Sequence, residues 1–170
     1  ANNSGSSFGV YKVYDKKELE SAVSENFTID NEIILEEFID GKEYSVGVAR
    51  IDGNTIVFGV TELISDNDFF DYEAKYNGKS SEITPAKIDK DLEELIHENS
   101  KNIYNNLKLN GFSRIDYIVK NDTPFFLEVN TIPGMTDESI FPKQVKLNNI
   151  NLKDLFTKMI NESLESHNLK

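Results

Sequence analysis

Four polar side chains in the second half of the chain have the types and spacing to bind a divalent cation. Arg114 and Asp116 lie two residues apart in one β-rich run, and Glu128 and Asn130 lie two apart in the next. Because side chains alternate between the two faces of a strand, each pair shares a face. The turn-forming residues 121–124 between the runs predict a β-hairpin, on which all four side chains can converge.

Convergence requires one register, because a slip of one residue turns a strand's side chains to the other face. A three-residue loop at 121–123 places Asp116 opposite Glu128 and Arg114 opposite Asn130. Facing carboxylates repel one another, and Mg2+ removes the repulsion because it prefers oxygen ligands and needs only one or two carboxylates. The hairpin pattern is equally compatible with a solvent-facing sheet on which Arg114 pairs with an acid.

The segment after the second run, residues 131–139, begins as a rigid turn that contains Pro133 and Gly134. Thr136 is a residue type that caps helices, so we expect a short helix to begin there. The N–H groups at a helix N-terminus receive anions. A predicted anion site thus follows the predicted cation site along the chain, which favours a functional interpretation of the hairpin.

Sheet is predicted to dominate the first third of the chain. A short helix over about 15–24, capped by an Asp-Glu pair, comes first. The apolar run at 33–39 then favours a strand. Asp-Gly turns flank residues 44–49, and a further β-rich run follows at 56–60, so we expect an antiparallel meander.

A long loop and two helices are predicted in the remainder. Residues 65–87 lack a stable period, and we expect a lid or substrate loop there. Apolar residues keep a helical stripe over about 90–109, with Gly111 placed to stop the helix. The last helix follows an Asn151 cap and runs to about 165.

The composition opposes several classes of protein. The formal charge of -12 disfavours a nucleic-acid surface, which needs clustered cations. The absence of cysteine excludes disulfides and thiolate chemistry and suits a cytosolic location. No window approaches the roughly 20 apolar residues that span a bilayer, so a soluble protein is expected. His97 and His167 are isolated and are expected to face solvent rather than bind zinc.

Five features, in order and at sensible spacing, resemble the ATP-grasp D-alanine:D-alanine ligases over nearly the whole chain. They are a glycine- and serine-rich loop at 5–10, an adenine-binding hinge at 34–39, an omega loop at 70–76, metal segments at 114–116 and 127–130, and a substrate segment at 131–136. Each motif alone is weakly specific, and their common order makes the combination specific.

The resemblance implies roles for the polar residues of the hairpin. Asp116, Glu128 and Asn130 would hold two Mg2+ ions, for which Mn2+ can substitute, and Glu128 would bridge both. Arg114 would stabilise charge on an acyl-phosphate and a tetrahedral intermediate. Lys75 would contact the transferred phosphate of ATP.

The resemblance also implies the contacts of ATP. The backbone of Glu37 and Ile39, with the Glu36 side chain, would meet adenine. Glu43 would accept the ribose hydroxyls. Ser6 belongs to the loop that resembles the glycine- and serine-rich catalytic loop of the family.

For the second substrate, the resemblance implies that Ser139 and the neighbouring backbone at Gly134 and Met135 hold a carboxylate. Tyr76, with Tyr72, lies in the omega loop that in the family closes over the reaction and excludes water.

The implied fold is α+β. Residues 1–36 would form part of the central ATP-grasp lobe, and residues 37–170 the C-terminal lobe, a mainly antiparallel sheet with flanking helices. The chain begins without Met or any targeting peptide, as a fragment would. Because it lacks one wall of the ATP cleft, we expect it to be inactive alone.

In the parent protein, ATP would phosphorylate the carboxylate of one D-alanine, and the amine of a second would attack the acyl-phosphate, for peptidoglycan synthesis in the cytoplasm. ATP and D-alanine are the expected partners, without nucleic acid or membrane, and a homodimer is compatible with the parent. Two alternatives stay open. One is an ATP-grasp ligase for another pair, such as D-alanine with D-serine, and the other is a non-catalytic nucleotide-binding module.

Overall fold

The structure of the protein is a computed structural model that describes residues 1–3, 5, 7–65 and 80–168. The chain divides into two compact units. The N-terminal unit comprises Ala1–Asp40 and Ile64–Ser81, and the sheet unit comprises Gly41–Leu63 and Glu82–Lys170. The expected domain boundary between residues 36 and 37 stays a prediction.

The described residues form one antiparallel sheet and four helices. In chain order the elements are α1 (Lys16–Asn26), β1 (Lys42–Ile51), β2 (Asn54–Ser65), β3 (Ser80–Ile83), α2 (Lys90–Asn106), β4 (Phe112–Lys120), β5 (Thr123–Asn130), α3 (Ile140–Leu147) and α4 (Leu152–Asn168). The strand order across the sheet is β3-β2-β1-β4-β5. None of the described helices is long and apolar enough to cross a bilayer.

Helices of the sheet unit cover both faces of the sheet. One face packs against α2 around the buried residues Val46, Ile96, Tyr104, Ile115 and Tyr117. The other packs against α3 and α4 around Ala49, Phe58, Phe141, Val145 and Leu155. This layering confirms the α+β class. The β1–β2 hairpin confirms the last two strands of the predicted meander.

Two predicted helix caps are confirmed by their hydrogen bonds. The Oδ1 atom of Asp15 accepts from the backbone N–H of Glu18 at 2.9 Å, which fixes the start of α1. The Oδ1 atom of Asn151 accepts from the N–H of Lys153 at 2.8 Å, just before α4. Short polar side chains supply acceptors that the first turn of a helix lacks, so the sequence locates both starts.

Other local predictions were wrong. Residues 33–39 form no strand and pair with no described strand, because strand propensity needs a ladder partner to be realised. Helix α2 does not end through Gly111. Instead Lys108, with φ of 52°, takes the left-handed position, and the N–H of Leu109 donates to the carbonyl of Tyr104 at 3.0 Å. Within the predicted loop at 65–87, Ser80–Ile83 form β3, and residues 66–79 lie outside the described residues, so the predicted lid stays a prediction.

Helix α3 lies close against β1 at Gly47. A Cβ atom on this residue would lie 2.5 Å from Oε1 of Gln144 and 3.0 Å from the ring of Phe141, both on α3. Contacts this short force neighbouring atoms to move, so glycine is required for the observed packing. The packing fixes α3 close to the strand that neighbours Asp116.

We predict that Gly47→Ala lowers the free energy of unfolding by about 1–3 kcal/mol through overpacking. Urea denaturation of the purified chain measures this loss. Gln144→Ala removes the atom that the new methyl group meets, so the double variant should lose less than the sum of the two single losses. Strict additivity would show that the clash is not the cause.

His97 does not face solvent as expected. It is half-buried on α2, and its Nε2 atom is buried without a hydrogen-bond partner among the described residues. Burial lowers the pKa of the imidazole, and the negative charges of Glu93 and Glu94, which act to raise it, offset this only in part. Protonation of His97 therefore opposes folding.

Because the pKa of His97 is lowered in the folded state, the unfolded chain, with an imidazole pKa of about 6.5, binds the proton more readily. The contribution of neutral His97 to stability is therefore present above about pH 6.5 and is lost as pH falls below that value. We predict that the wild-type chain loses more stability than His97→Gln between about pH 7.5 and about pH 5.5. Urea unfolding of both proteins at both pH values measures the difference. Equal losses would contradict the assignment.

Candidate metal and phosphate site

The hairpin of β4 and β5 turns through two residues rather than the predicted three. Asn121 and Asp122 both have positive φ, 50° and 58°, and Lys120 pairs directly with Thr123. Two left-handed residues form the tight turn that matches strand twist. If pairing continued without interruption from Lys120 and Thr123, Asp116 would not lie opposite Glu128.

A β-bulge restores the predicted register. Leu127 has no partner on β4, so two residues of β5 oppose one residue of β4 at this point. The pairs on either side of the bulge are Tyr117 with Phe126, Asp116 with Glu128, and Arg114 with Asn130. The predicted pairing is confirmed, although it arises from a shorter loop and an extra strand residue.

Asp116 is the buried centre of this site, with only 3% of its surface exposed. Arg114 donates hydrogen bonds to its carboxylate: Nε lies 2.9 Å from Oδ1 and 3.2 Å from Oδ2, and Nη2 lies 2.7 Å from Oδ2. The hydroxyl of Ser45, opposite Asp116 on β1, donates to Oδ1. The solvent-facing alternative is therefore wrong, although its pairing of Arg114 with an acid is present.

The second carboxylate and the amide lie at the accessible side of the site. Glu128 is exposed and faces Asp116 directly across the two strands. Asn130 is half-buried, and its Oδ1 atom accepts from the N–H of Ile132 at 3.1 Å. The site therefore presents one buried and one open carboxylate, separated by a single strand spacing.

Arg114 stays protonated in this setting. Burial acts to lower the pKa of its guanidinium, but the hydrogen bonds and charge of Asp116, with the charges of Glu128 and Glu43, outweigh burial and raise the pKa. Glu43 lies on the same face of β1 as Ser45, opposite Ile118, which follows Asp116 by two residues on β4. A fixed positive charge therefore lies among three carboxylates.

The donor set suits a hard cation. Among the described residues no cluster of three or more His, Cys, Asp or Glu side chains could hold a metal. Two carboxylates and an amide oxygen are instead the partial shell that Mg2+ completes with water and phosphate. Both oxygens of Asp116 already accept hydrogen bonds, so a cation can bind them only when some of the hydrogen bonds from Arg114 are broken.

The start of α3 differs from the prediction. The helix begins at Ile140, and Ser139 occupies the capping position that was expected at Thr136. The Oγ atom of Ser139 accepts from the N–H of Thr136 at 3.2 Å and lies 2.8 Å from the Thr136 hydroxyl. Gly134 lies so close that a Cβ atom there would be 2.7 Å from Oγ of Ser139.

This turn brings the three predicted substrate residues of segment 134–139 together. Ser139 is in contact range of Gly134, and Met135 packs on the core beneath α3. The hydroxyl of Ser139 does not cap its own helix, because it is engaged by Thr136. The N–H groups of Ile140 and Phe141 therefore receive no bond from the Ser139 side chain, and Pro142, the next residue, has no N–H.

The remaining predicted residues lie elsewhere. Glu36, Glu37 and Ile39 belong to a segment of the N-terminal unit without regular secondary structure, in which both glutamates are exposed. Ser6, Lys75, Tyr72 and Tyr76 lie outside the described residues. Sequence reasoning missed Ser45 and Gln144, which hold the buried carboxylate and α3, because a polar residue within an alternating strand or helix gives no distinct signal.

The chain belongs to the family described as D-ala D-ala ligase C-terminus, whose model matches residues 1–161. A curated D-alanine--D-alanine ligase of Flavobacterium johnsoniae is 52% identical over 163 residues, which are 96% of this chain and 50% of the relative. The chain thus spans about half the length of the curated relatives it matches.

Solved structures agree with the family. The VanG D-Ala:D-Ser ligase of Enterococcus faecalis has a TM-score of 0.81 and 40% identity, over 92% of this chain and 46% of that one. The D-alanine--D-alanine ligase of Bacillus anthracis, complexed with ATP, has a TM-score of 0.74 and 30% identity, over 91% and 48%. These matches confirm the predicted fold of a D-alanine ligase C-terminal lobe.

We predict that Arg114→Met lowers the free energy of unfolding by up to about 3 kcal/mol, because it leaves a buried carboxylate without its ion-pair partner. The side chain of Arg114 is 21% exposed, so solvent screening keeps the loss at or below this value. Adding Asp116→Asn removes the charge and should recover most of the loss. Lys158→Met, which removes the exposed pair with Asp52, is the matched control and should cost less than about 1 kcal/mol. Urea denaturation measures all four proteins, and a double variant no more stable than Arg114→Met contradicts the prediction.

Proposed function

We propose that this chain supplies the metal- and phosphate-binding sheet of an ATP-dependent D-alanine:D-alanine ligase. The observation that carries the proposal is the convergence of Arg114, Asp116, Glu128 and Asn130 on one face of a bulged hairpin. Membership of the ligase family and the likeness to an ATP complex support it. The dipeptide product would enter peptidoglycan synthesis in the cytoplasm.

The reaction consists of two transfers. The γ-phosphoryl group of ATP passes to a carboxylate oxygen of the first D-alanine, which releases ADP and forms an acyl-phosphate. The amine of the second D-alanine then attacks the acyl carbon, and phosphate leaves from the tetrahedral intermediate as the new amide bond forms. Both steps concentrate negative charge on oxygen atoms, so the protein must supply fixed positive charge.

Asp116, Glu128 and Asn130 would hold Mg2+, as two ions, with Mn2+ as a substitute. When bound, the metal neutralises phosphate charge and orients the γ-phosphoryl group. Arg114 adds a cation that the hydrogen bonds and charges of the neighbouring carboxylates keep protonated despite burial. With Asp116 serving as a metal ligand, the Arg114 guanidinium would keep only part of its ion pair and would be available to the transferred phosphoryl group.

The start of α3 would bind the carboxylate of the second D-alanine. Its first N–H groups receive no bond from the Ser139 side chain, and a carboxylate there is favoured by the helix dipole. Gly134 leaves the turn compact, and Met135 anchors it to the core.

The proposal assigns the other contacts to residues outside this site. Glu36, Glu37, Ile39 and Glu43 would meet the adenosine. Lys75, Tyr76 and Ser6 would contact the transferred phosphate and close the cleft.

Activity can be tested by joining this chain to the N-terminal half of the Flavobacterium johnsoniae relative, since the matched halves are 52% identical. We predict phosphate release from ATP that requires D-alanine. Glu128→Gln in the same fusion should reduce the rate about 100-fold or more, because the open metal ligand is lost. The relative itself is the positive control, and circular dichroism checks that each fusion is folded.

The likeness to VanG makes D-serine a specific second candidate for the attacking amine. Product analysis of the same fusion with D-alanine and D-serine together distinguishes the two. A folded fusion that binds Mg-ADP but releases no phosphate with either amino acid would identify a non-catalytic nucleotide-binding module.

A further inference from the structure

Ser45 is a buried polar residue at the centre of the sheet. It lies on β1 with Thr61 of β2 on one side and Asp116 of β4 on the other. Its surface is 0% exposed. Its hydroxyl donates to the carboxylate of Asp116, which satisfies a polar group that burial removes from water.

The backbone of Ser45 is held as firmly as its side chain. Its carbonyl oxygen accepts from Nε2 of Gln144 on α3 at 2.8 Å, and the same Nε2 lies 2.9 Å from Oγ1 of Thr61. Gln144 is itself fully buried. Ser45 is thus fixed by strand pairing on both sides and by a helix above it, which leaves its hydroxyl little freedom to turn away.

The two donors to Asp116 differ in how far they can move. Arg114 has a long side chain that is 21% exposed, and its guanidinium must shift if phosphate and metal share the site. Ser45 has one side-chain torsion and no exposed surface. When Arg114 loosens, the Ser45 hydroxyl remains on Oδ1, so Oδ2 is left for a cation.

We infer that Ser45 is a positioning residue, which holds the Asp116 carboxylate in the orientation required to bind a divalent cation. The inference rests on the proposed metal-binding role of Asp116 and adds a residue that the hairpin itself does not contain. Hydrogen-bond partners of metal ligands fix ligand orientation, and their loss weakens metal binding about 10- to 100-fold.

Titration of the 170-residue chain with Mn2+ alone, followed by electron paramagnetic resonance, tests the inference. Ser45→Ala should weaken Mn2+ binding about 10- to 100-fold, and Ser45→Thr, which keeps the hydroxyl, should restore most of it. Asp116→Asn should abolish the binding.

Ser113→Ala is the matched control. Ser113 is also a buried serine of this sheet, 1% exposed, but its hydroxyl has no hydrogen-bond partner among the described residues, and it lies on the opposite face of β4 from Asp116. Its removal should leave Mn2+ affinity unchanged. Ser45→Cys preserves the volume with a weaker donor, so it should bind Mn2+ with intermediate affinity even if Ser45→Ala does not fold.

The outcomes separate the inference from the proposed function. Mn2+ binding that Asp116→Asn abolishes, but that folded Ser45→Ala and Ser45→Cys retain at full affinity, overturns the positioning role and leaves the metal site intact. Wild-type binding that is indifferent to Asp116→Asn overturns both. A loss in Ser45→Ala that Ser113→Ala matches would mark a general effect on the sheet and also overturn the positioning role.

Discussion

A carboxylate buried beneath a sheet face cannot stay charged without partners, and Asp116 is such a group. Its partners come from two strands: Arg114 from its own strand and Ser45 from the neighbouring one. Arg114 is in turn held cationic by the acids around it. The burial of this one aspartate therefore accounts for the hydrogen-bond network around it. Glu128, which lies across the hairpin, is exposed and connects that network to solvent.

The hairpin shows how a correct register can be predicted for the wrong reason. A three-residue loop and a two-residue loop followed by a bulge use the same number of residues, so both place Asp116 opposite Glu128. The polar side chains limit that total, since a slip of one residue would turn one pair of them to the other face. This limit does not distinguish the two routes, because the left-handed turn at Asn121 and the bulge at Leu127 depend on the twist of the folded sheet.

Elsewhere, features that depend on neighbouring residues in the sequence were predicted correctly, and features that depend on distant residues were not. Caps such as Asp15 and Asn151 act within one helical turn, and both were found from sequence. The unpaired segment 33–39 and the burial of His97 depend on partners distant in sequence or on packing, and both were missed. Ser45 was missed for the same reason, since its role arises only when the strands align.

The close approach at Gly47 constrains a distance within the sheet unit. With no room for a methyl group between β1 and α3, the separation between the N-terminal end of α3 and the acidic pair on the hairpin is determined by main-chain packing. This separation would set the length of any group that reaches from the start of α3 to the hairpin. Changing this distance therefore requires a shift of the whole helix, because Gly47 has no side chain that could be shortened.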